Sequence, residues 1–142
     1  MLIERDEIAR VIPHAGDMCL LDGVMHFDTA AIQCLSTTHR ALDNPLRRGG
    51  QLGVLAGVEY AAQAMALHAA LVAPTTKTPR GGYLASLRAV TCHTDRLDLV
   101  PGPLLIEATQ VMGDSDRMIY RFAVRHEARL LLDGRAAVVL RA

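Results

Sequence analysis

The sequence predicts an α+β fold in which a curved antiparallel sheet wraps around one long central helix. A single long apolar helix, ending near Val72, lies in the middle of the chain. Two strand-like segments precede it and about four follow, and their β-branched and apolar content favours strands. No repeat or linker divides the chain, so residues 1–142 are predicted to form one domain with a core of its own.

The first predicted element is a short amphipathic helix at residues 4–12. Its apolar positions recur at helical spacing and would face inward: Ile8, Val11 and Ile12. Pro13 ends this helix, because a proline disfavours the helical conformation of the residue before it. Segments 18–28 and 30–39 then predict two strands, since both are rich in apolar and β-branched residues.

The central helix follows a loop, residues 41–53, that is rich in Asn-Pro and Gly-Gly punctuation. The helix is apolar on every side and must therefore be covered on every side. One sheet covers only one side of a helix unless the sheet curls around it or a second subunit helps. The pattern thus predicts a curved sheet in an oligomer, with a dimer as the minimum.

Turn signals divide the part of the chain after the helix into four predicted strands. They are residues 83–93, 104–112, 117–126 and 128–141. Asp133-Gly134 is typical of either a hairpin turn or a bulge in one long last strand. The bulge is preferred, because an earlier turn at residues 126–129 equalises the strand lengths.

Composition argues against several classes of function. Fifteen basic and fifteen acidic residues cancel, which is not the basic excess of a nucleic-acid binder. The three cysteines (Cys19, Cys34 and Cys92) form no CxxC pair and are expected to be reduced core thiols of a cytoplasmic protein. The histidines lack metal-binding spacing, so no metal site is expected. Residues 1–10 are too charged for a signal peptide.

Residues 52–73 are long and apolar enough to cross a bilayer. Glu59 and His68 lie inside this stretch, however, and a central charge costs about 2.5–3.5 kcal/mol even on the lenient insertion scale. The rest of the chain is typical of a strand-rich soluble domain. We therefore expect no membrane span.

Two motifs resemble a known enzyme family. Residues 12–24, IPHAGDMCLLDGV, resemble the Pro-His…Leu-Leu-x-Asp-x-Val opening of the β-hydroxyacyl-acyl-carrier-protein dehydratases of fatty-acid synthesis. Residues 57–66, GVEYAAQAMA, resemble their helix signature, in which Gln follows Glu by four residues. The likeness is closer to the dehydratase-like proteins of aryl-polyene gene clusters. It extends through GGYLASLRAV and VPGPLL, and so over nearly the whole chain.

The resemblance implies a hot-dog fold that dimerises so that two sheets become one, with active sites at the interface beside the central helix. It also implies an acyl substrate carried on the phosphopantetheine of an acyl carrier protein, and no other cofactor. The sequence departs from the family at one point. The fatty-acid enzymes carry a catalytic histidine in a Gly-His-Phe-Pro loop, and here Asn44-Pro45 stands about where that histidine belongs.

Glu59 is the first candidate catalytic residue. Dehydration of a 3-hydroxyacyl thioester needs a base for the C2 proton, an acid for the departing hydroxyl and donors for the thioester oxygen. An apolar surround keeps a carboxyl group protonated, which suits the acid. Val58, Ala62 and Met65 would give Glu59 such a surround. The alternatives are a structural carboxylate paired with backbone or an arginine, and an exposed side chain.

His14 is the candidate base, because an imidazole titrates near neutrality. It alternatively braces its loop against the helix. Gln63, one turn after Glu59 on the same predicted face, would orient the Glu59 carboxyl. Its alternative role is that of a buried amide bonded to a backbone group.

Substrate binding is assigned to three further positions. Asn44 replaces the loop histidine, and Gly53 lies near the helix start, where free N–H groups favour negative charge. By analogy with the dehydratases, the backbone around Ser86 supplies another N–H. Three arginines form a candidate basic rim for an acidic carrier protein: Arg47, Arg48 and Arg80.

Three functions stay open at this point. The first is an active 3-hydroxyacyl-carrier-protein dehydratase that uses Glu59 and His14. The second is a non-catalytic subunit paired with a second hot-dog protein that bears the missing histidine. The third is a hot-dog thioesterase in which Glu59 activates water or attacks the thioester. The reaction product separates the first from the third.

Overall fold

The computed structural model describes residues 1–12, 18–73, 82–114 and 116–140. The elements in chain order are β1 (Ile3–Glu4), α1 (Arg5–Val11), β2 (Gly23–Phe27), β3 (Ala31–Ser36), α2 (Gly57–Val72), β4 (Gly82–Cys92), β5 (Leu104–Gly113), β6 (Arg117–His126) and β7 (Arg129–Leu140). Short 3-10 turns at Thr38–Arg40 and Val54–Ala56 lie at the two ends of the loop before α2.

The strands form one seven-stranded sheet in the order β1-β2-β3-β5-β6-β7-β4, and neighbouring strands are antiparallel. Alternate residues of the strands are buried, for example Leu104, Ile106 and Ala108 on β5. They share one core with the buried residues of α2, which include Tyr60 and Leu67. The predicted hot-dog fold, an antiparallel sheet with one long central helix, is confirmed.

The first helix is shorter than predicted. Ile8 and Ile12 are buried as expected, but Val11 is 39% exposed and the prediction for it is wrong. The reason is that Ile12 already has an extended backbone (φ −97°, ψ 152°), so helical spacing no longer applies where the chain turns inward. The two-residue strand β1, which pairs Ile3 with Val24, was not predicted.

The last strand runs without interruption through Asp133-Gly134, so one long strand is confirmed and the hairpin is excluded. The irregularity at this point lies in β4 instead. Arg88 pairs with Arg135 and Thr91 with Asp133, which places two residues of β4 opposite Gly134. Gly134 has no room for a side chain, because a Cβ there would lie 2.9 Å from Cζ of Phe122.

The central helix is covered by its own chain on all but one side. Val54–Val72 is long and apolar enough for a membrane span, but 56% of that window is buried inside the fold, where it forms the core helix. The uncovered side consists of residues at helical spacing that are exposed or half-buried: Leu55, Glu59, Ala62, Ala66 and Ala70. We refer to these five residues as the open stripe.

The strand β4 forms one edge of the sheet and pairs only with β7. Cys92 at its end is exposed, so the expectation of a core thiol is wrong for this residue. Cys19 and Cys34 are buried and unpaired, as expected. Burial raises the pKa of the Cys34 thiol to about 12, which keeps it protonated and inert.

Candidate active site

Glu59 lies in the first turn of α2, within the open stripe, and is exposed in the single chain. The expected burial is therefore wrong for one chain, because the sheet occupies the other sides of the helix and leaves this one free. Glu59 has no hydrogen bond or ion pair among the described residues. This excludes the alternative of a structural carboxylate neutralised by an arginine in the core. The result is an unpaired, exposed carboxyl on a stripe whose other members are Leu55 and three alanines.

Gln63 does not orient Glu59. Its side chain is buried, its Oε1 accepts the Leu20 N–H at 2.9 Å, and its Nε2 donates to the Met18 carbonyl at 2.7 Å. The alternative, a buried amide bonded to backbone, is the one that the structure bears out. Gln63 thus ties residues 18–20, which follow the Pro13–Asp17 segment of the sequence, to the central helix.

The Tyr60 hydroxyl organises the loop between β3 and α2. It lies 2.8 Å from Oγ1 of Thr38 and 3.0 Å from Nδ2 of Asn44. Thr38 Oγ1 also donates to the Leu20 carbonyl at 2.8 Å, so the network reaches the segment that Gln63 holds. Burial raises the pKa of Tyr60. This tyrosine was not predicted as a site residue, although a phenol in an apolar helix usually needs a polar partner.

Asn44 is buried, and its polar atoms are used within the protein. Its Nδ2 donates to the Thr38 carbonyl at 2.9 Å as well as to Tyr60, and its Oδ1 accepts the Leu46 N–H at 2.8 Å. Both amide hydrogens are therefore engaged. In the single chain this amide closes the loop, and substrate binding by Asn44 remains a prediction.

The glycines before α2 have distinct roles. Gly49 and Gly50 have φ of +58° and +77° in a tight turn closed by reciprocal backbone bonds between Arg48 and Gln51. Only glycine adopts such a pair of conformations readily. Gly53 is exposed at the start of the 3-10 turn that leads into α2, with an ordinary φ of −67°. It remains a predicted oxyanion donor.

Ser86 lies on the edge strand β4, opposite Ala137 of β7, and is exposed. Because β4 pairs on one side only, half of its backbone groups have no strand partner in the single chain. A backbone donor near Ser86 therefore remains a prediction. His14 and Arg80 lie outside the described residues, and their predicted roles are untested.

The Arg47 side chain is held within the loop before α2. Its guanidinium donates to the carbonyl oxygens of Ala41 (2.8 Å), Gly50 (2.6 Å) and His39 (3.3 Å), and its side chain is only 11% exposed. It lies 4.0 Å from Asp98, whose pKa is lowered by its hydrogen bonds with Arg96. Arg47 thus braces the loop, and its predicted carrier-binding role remains untested. Arg48 is exposed and stays a candidate.

The buried histidines lie away from the open stripe. His68 Nε2 donates to the Asp28 carbonyl at 2.9 Å, and its Nδ1 lies 2.8 Å from the Tyr120 hydroxyl. His39 Nε2 donates to the Val100 carbonyl at 3.2 Å, and its Nδ1 has no partner among the described residues. Burial lowers the pKa of both imidazoles. Neither histidine bonds Glu59, so the described part of one chain offers a candidate acid without a base.

Comparisons with known proteins give one family and several structures of similar fold. A family model described as ApeP-like, ApeP dehydratase, matches residues 6–141. A comparison with curated protein sequences finds no match.

Among solved structures, the dehydratase heterocomplex ApeI:P from Xenorhabdus doucetiae is similar with a TM-score of 0.83 and 20% identity, over 95% of this chain and 91% of that one. A thioesterase from Haemophilus influenzae is similar with a TM-score of 0.62 and 13% identity, over 84% of this chain and 77% of that one. Zebrafish thioesterase superfamily member 2 is similar with a TM-score of 0.66 and 13% identity, over 96% of this chain and 95% of that one. At these identities the structures show a shared fold.

Proposed function

Since this chain belongs to the ApeP-like dehydratase family, we propose that it is a subunit of a 3-hydroxyacyl-carrier-protein dehydratase whose active site is completed at a subunit interface. The observation that carries the proposal is Glu59. An unpaired carboxyl stands on an otherwise apolar stripe of the central helix, on the one side that its own chain leaves open. A second subunit on this stripe would enclose the carboxyl together with the acyl chain of the substrate.

A second subunit on the open stripe would remove the Glu59 carboxyl from water, to which it is exposed in one chain. Removal from water favours the neutral carboxyl. Glu59 then donates its proton to the hydroxyl as the C3–O bond breaks, while His14 accepts the C2 proton, so that a C2–C3 double bond and water result. Backbone N–H groups at Gly53 and near Ser86 stabilise the charge that develops on the thioester oxygen.

The assembly partner that we propose is a second hot-dog protein. The similar Xenorhabdus structure is a dehydratase heterocomplex, which supports a hetero-oligomer for a chain of this family. Asn44 favours it too, because this residue replaces the loop histidine of the fatty-acid enzymes and is engaged internally. A partner that carries the histidine would supply the base in place of His14, and this chain would be the non-catalytic half of the pair only if Glu59 were dispensable as well. We propose an acyl carrier protein as the substrate donor, with Arg48 near its docking site.

The test uses the chain alone and co-purified with a second hot-dog protein that carries the Gly-His-Phe-Pro histidine. Both are assayed on 3-hydroxyacyl-carrier-protein for the 2-enoyl product and for free thiol. Glu59→Gln should lower dehydration about 10²–10⁴-fold, the usual contribution of a general acid. Its melting temperature should stay unchanged, because Glu59 has no partner to lose. Glu7→Gln, an exposed glutamate of α1, is the matched control.

Each outcome decides between the functions. A fully active Glu59→Gln protein contradicts the proposal, and free thiol as the main product indicates the thioesterase. His14→Ala in the assembled pair identifies the base. Loss of most activity assigns the base to this chain, and activity within a few-fold of wild type assigns it to the partner.

A further inference from the structure

Three arginines stand side by side on the outer face of the sheet. Arg135 of β7 is in register with Arg88 of β4 on one side and with Arg121 of β6 on the other. All three are exposed, as is Arg117, four residues before Arg121 and hence on the same face of β6. Adjacent strands are about 4.8 Å apart, so three guanidinium groups share a narrow row. We call these four residues the arginine patch.

One acid lies near one end of the patch, where the Asp114 carboxylate interacts electrostatically with Arg117, and no such partner is found for Arg88, Arg121 or Arg135 among the described residues. None of its four side chains forms an ion pair or hydrogen bond there. The acids nearest in the sheet are engaged elsewhere, with Glu107 bonded to Arg125 at 2.8 Å and Asp133 to His93 at 3.2 Å. Like charges directly opposite one another on neighbouring strands are destabilising. Since the whole chain has a formal net charge of zero, this cluster does not reflect a generally basic protein.

A cavity of about 220 Å³ lies within the patch. Its lining includes Arg88, Arg117 and Arg135, together with Ser86 and apolar surface from Ile119 and Ala137. Guanidinium groups bind phosphate oxygens in a bidentate manner, and a serine hydroxyl adds a further donor. The cavity is smaller than a typical pocket for a drug-sized ligand, and its size suits one phosphate group with a short attached chain.

We infer that the Ser86–arginine cavity binds the phosphate group of a ligand. Two sources share this chemistry: free inorganic phosphate and a phosphate ester at the end of a longer arm. If the ester belongs to a pantetheine arm, that identification rests on the proposed function. The phosphate site itself rests only on the register of the arginines, the absence of a salt bridge to any of them among the described residues, and the cavity between them.

Binding is measured by calorimetry and by thermal unfolding of the full chain, with inorganic phosphate, 4′-phosphopantetheine and pantetheine as separate probes. Sodium chloride at matched ionic strength controls for screening. We expect both phosphates to bind and to raise the melting temperature, and pantetheine to do neither. Tighter binding of phosphopantetheine than of inorganic phosphate would identify an ester on an arm, and equal binding would identify free phosphate.

Arg135→Gln removes the middle charge of the row and should weaken phosphate binding roughly tenfold or more, since hydrogen bonds to charged groups are among the stronger ones. Without phosphate this variant should melt at the same temperature as wild type or higher, because repulsion within the row is relieved. Arg88→Gln is the second variant. Arg10→Gln, on α1 near the opposite edge of the sheet, changes the same charge and should bind phosphate as wild type does.

The inference is overturned if Arg135→Gln and Arg88→Gln bind phosphate as tightly as Arg10→Gln does, or if sodium chloride stabilises as much as phosphate does. Binding of an acidic protein without binding of either phosphate would overturn it as well. Glu59→Gln separates this result from the proposed function. If Glu59→Gln keeps full activity but still binds phosphate, the dehydratase proposal fails and the phosphate site stands.

Discussion

Gln63 and Glu59 are one helical turn apart on α2, yet their side chains have opposite surroundings. Position 63 is turned towards residues 18–20, and both ends of its amide are bonded to backbone there. Position 59 lies in the open stripe, where the chain supplies no partner. Positions i and i+4 differ by an angle of about 40° around the helix axis. This angle is enough to place Gln63 on the covered side of α2 and Glu59 on the open side.

Replacing Gln63 tests its role as a tether. Gln63→Leu leaves the Leu20 N–H and the Met18 carbonyl without partners, and each unsatisfied buried group costs about 1–3 kcal/mol. We expect a loss of that order in the free energy of unfolding, measured by urea denaturation. Gln51→Leu changes an exposed glutamine in the same way and should leave stability within about 0.5 kcal/mol of wild type. Equal effects of the two substitutions would exclude the tether.

His68 makes stability depend on pH. Burial lowers its pKa below the value of 6.5 that an unperturbed imidazole has. Below about pH 6.5 the unfolded chain therefore binds a proton that the folded chain resists, so the free energy of unfolding falls as the pH drops from about 6.5 towards 5. Above about pH 6.5 this contribution is complete and constant. His39 acts in the same direction for the same reason.

The measurement compares urea unfolding at about pH 7.5 and about pH 5.5, on either side of the ordinary imidazole pKa. His68→Gln removes one of the two buried imidazoles, and the difference in stability between the two pH values should shrink. His26→Gln, which alters an exposed histidine, is the control and should keep the wild-type difference. An unchanged difference in His68→Gln would show that the acid sensitivity arises elsewhere.

Among the elements, the strands after α2 are those that the sequence predicted best. Residues 104–112 and 117–126 matched β5 and β6 within a residue, because apolar side chains alternate there and turn residues bound each segment. The exposure of Glu59 was not predictable in this way. The open stripe consists mainly of alanines, whose apolar character is the same on a covered and on an uncovered side of a helix.

Loop chemistry was predicted least well. Asn44 and Arg47 looked like free polar residues in a Gly-rich loop, but their partners are backbone carbonyls brought close only by folding. Local sequence carries no signal for such contacts, since they depend on how the loop closes over Tyr60. The bulge opposite Gly134 was placed on the wrong strand for a related reason: the strand that the glycine faces is remote in sequence.

The junction of β4, β6 and β7 gives a direct test of this packing. Gly134→Ala would place a Cβ 2.9 Å from Cζ of Phe122 and 3.1 Å from Cγ2 of Val90. Overpacking of this kind costs about 1–3 kcal/mol, which chemical denaturation would detect. Gly53→Ala is the control, because its φ of −67° and open surroundings admit a methyl group. Phe122→Leu combined with Gly134→Ala should recover part of the loss, and failure to recover any would contradict the proposed clash.

At the scale of the whole molecule, two surfaces of the single chain are unfinished. The open stripe leaves one side of the core helix partly exposed, and β4 leaves one edge of the sheet unpaired. Both features favour assembly, the first through apolar burial and the second through backbone hydrogen bonds. A chain that belongs to an oligomer explains both at once.

We therefore expect the protein to be a dimer at minimum, either with a second copy of itself or with the proposed hot-dog partner. Ala66→Arg places a long charged side chain on the open stripe and should shift the species seen by light scattering towards the monomer at micromolar concentration. Thr29→Arg adds the same charge in the exposed β2–β3 turn and should leave the oligomer intact. The expectation is contradicted if the wild-type protein is monomeric both alone and in the presence of the partner. It is also contradicted if the Ala66→Arg protein assembles as the wild type does.

The bare edge of β4 also bears on how the protein is produced in a cell. In a newly synthesised chain, the eleven-residue strand β4 has unpaired N–H and C=O groups along its outer edge. These groups can form hydrogen bonds with the edge strand of another protein, including an unrelated nascent chain. Until its proper counterpart arrives, each copy is exposed to misassembly. The soluble yield should therefore follow the supply of whichever chain covers β4, so that balanced expression, rather than strong expression, gives the most folded protein.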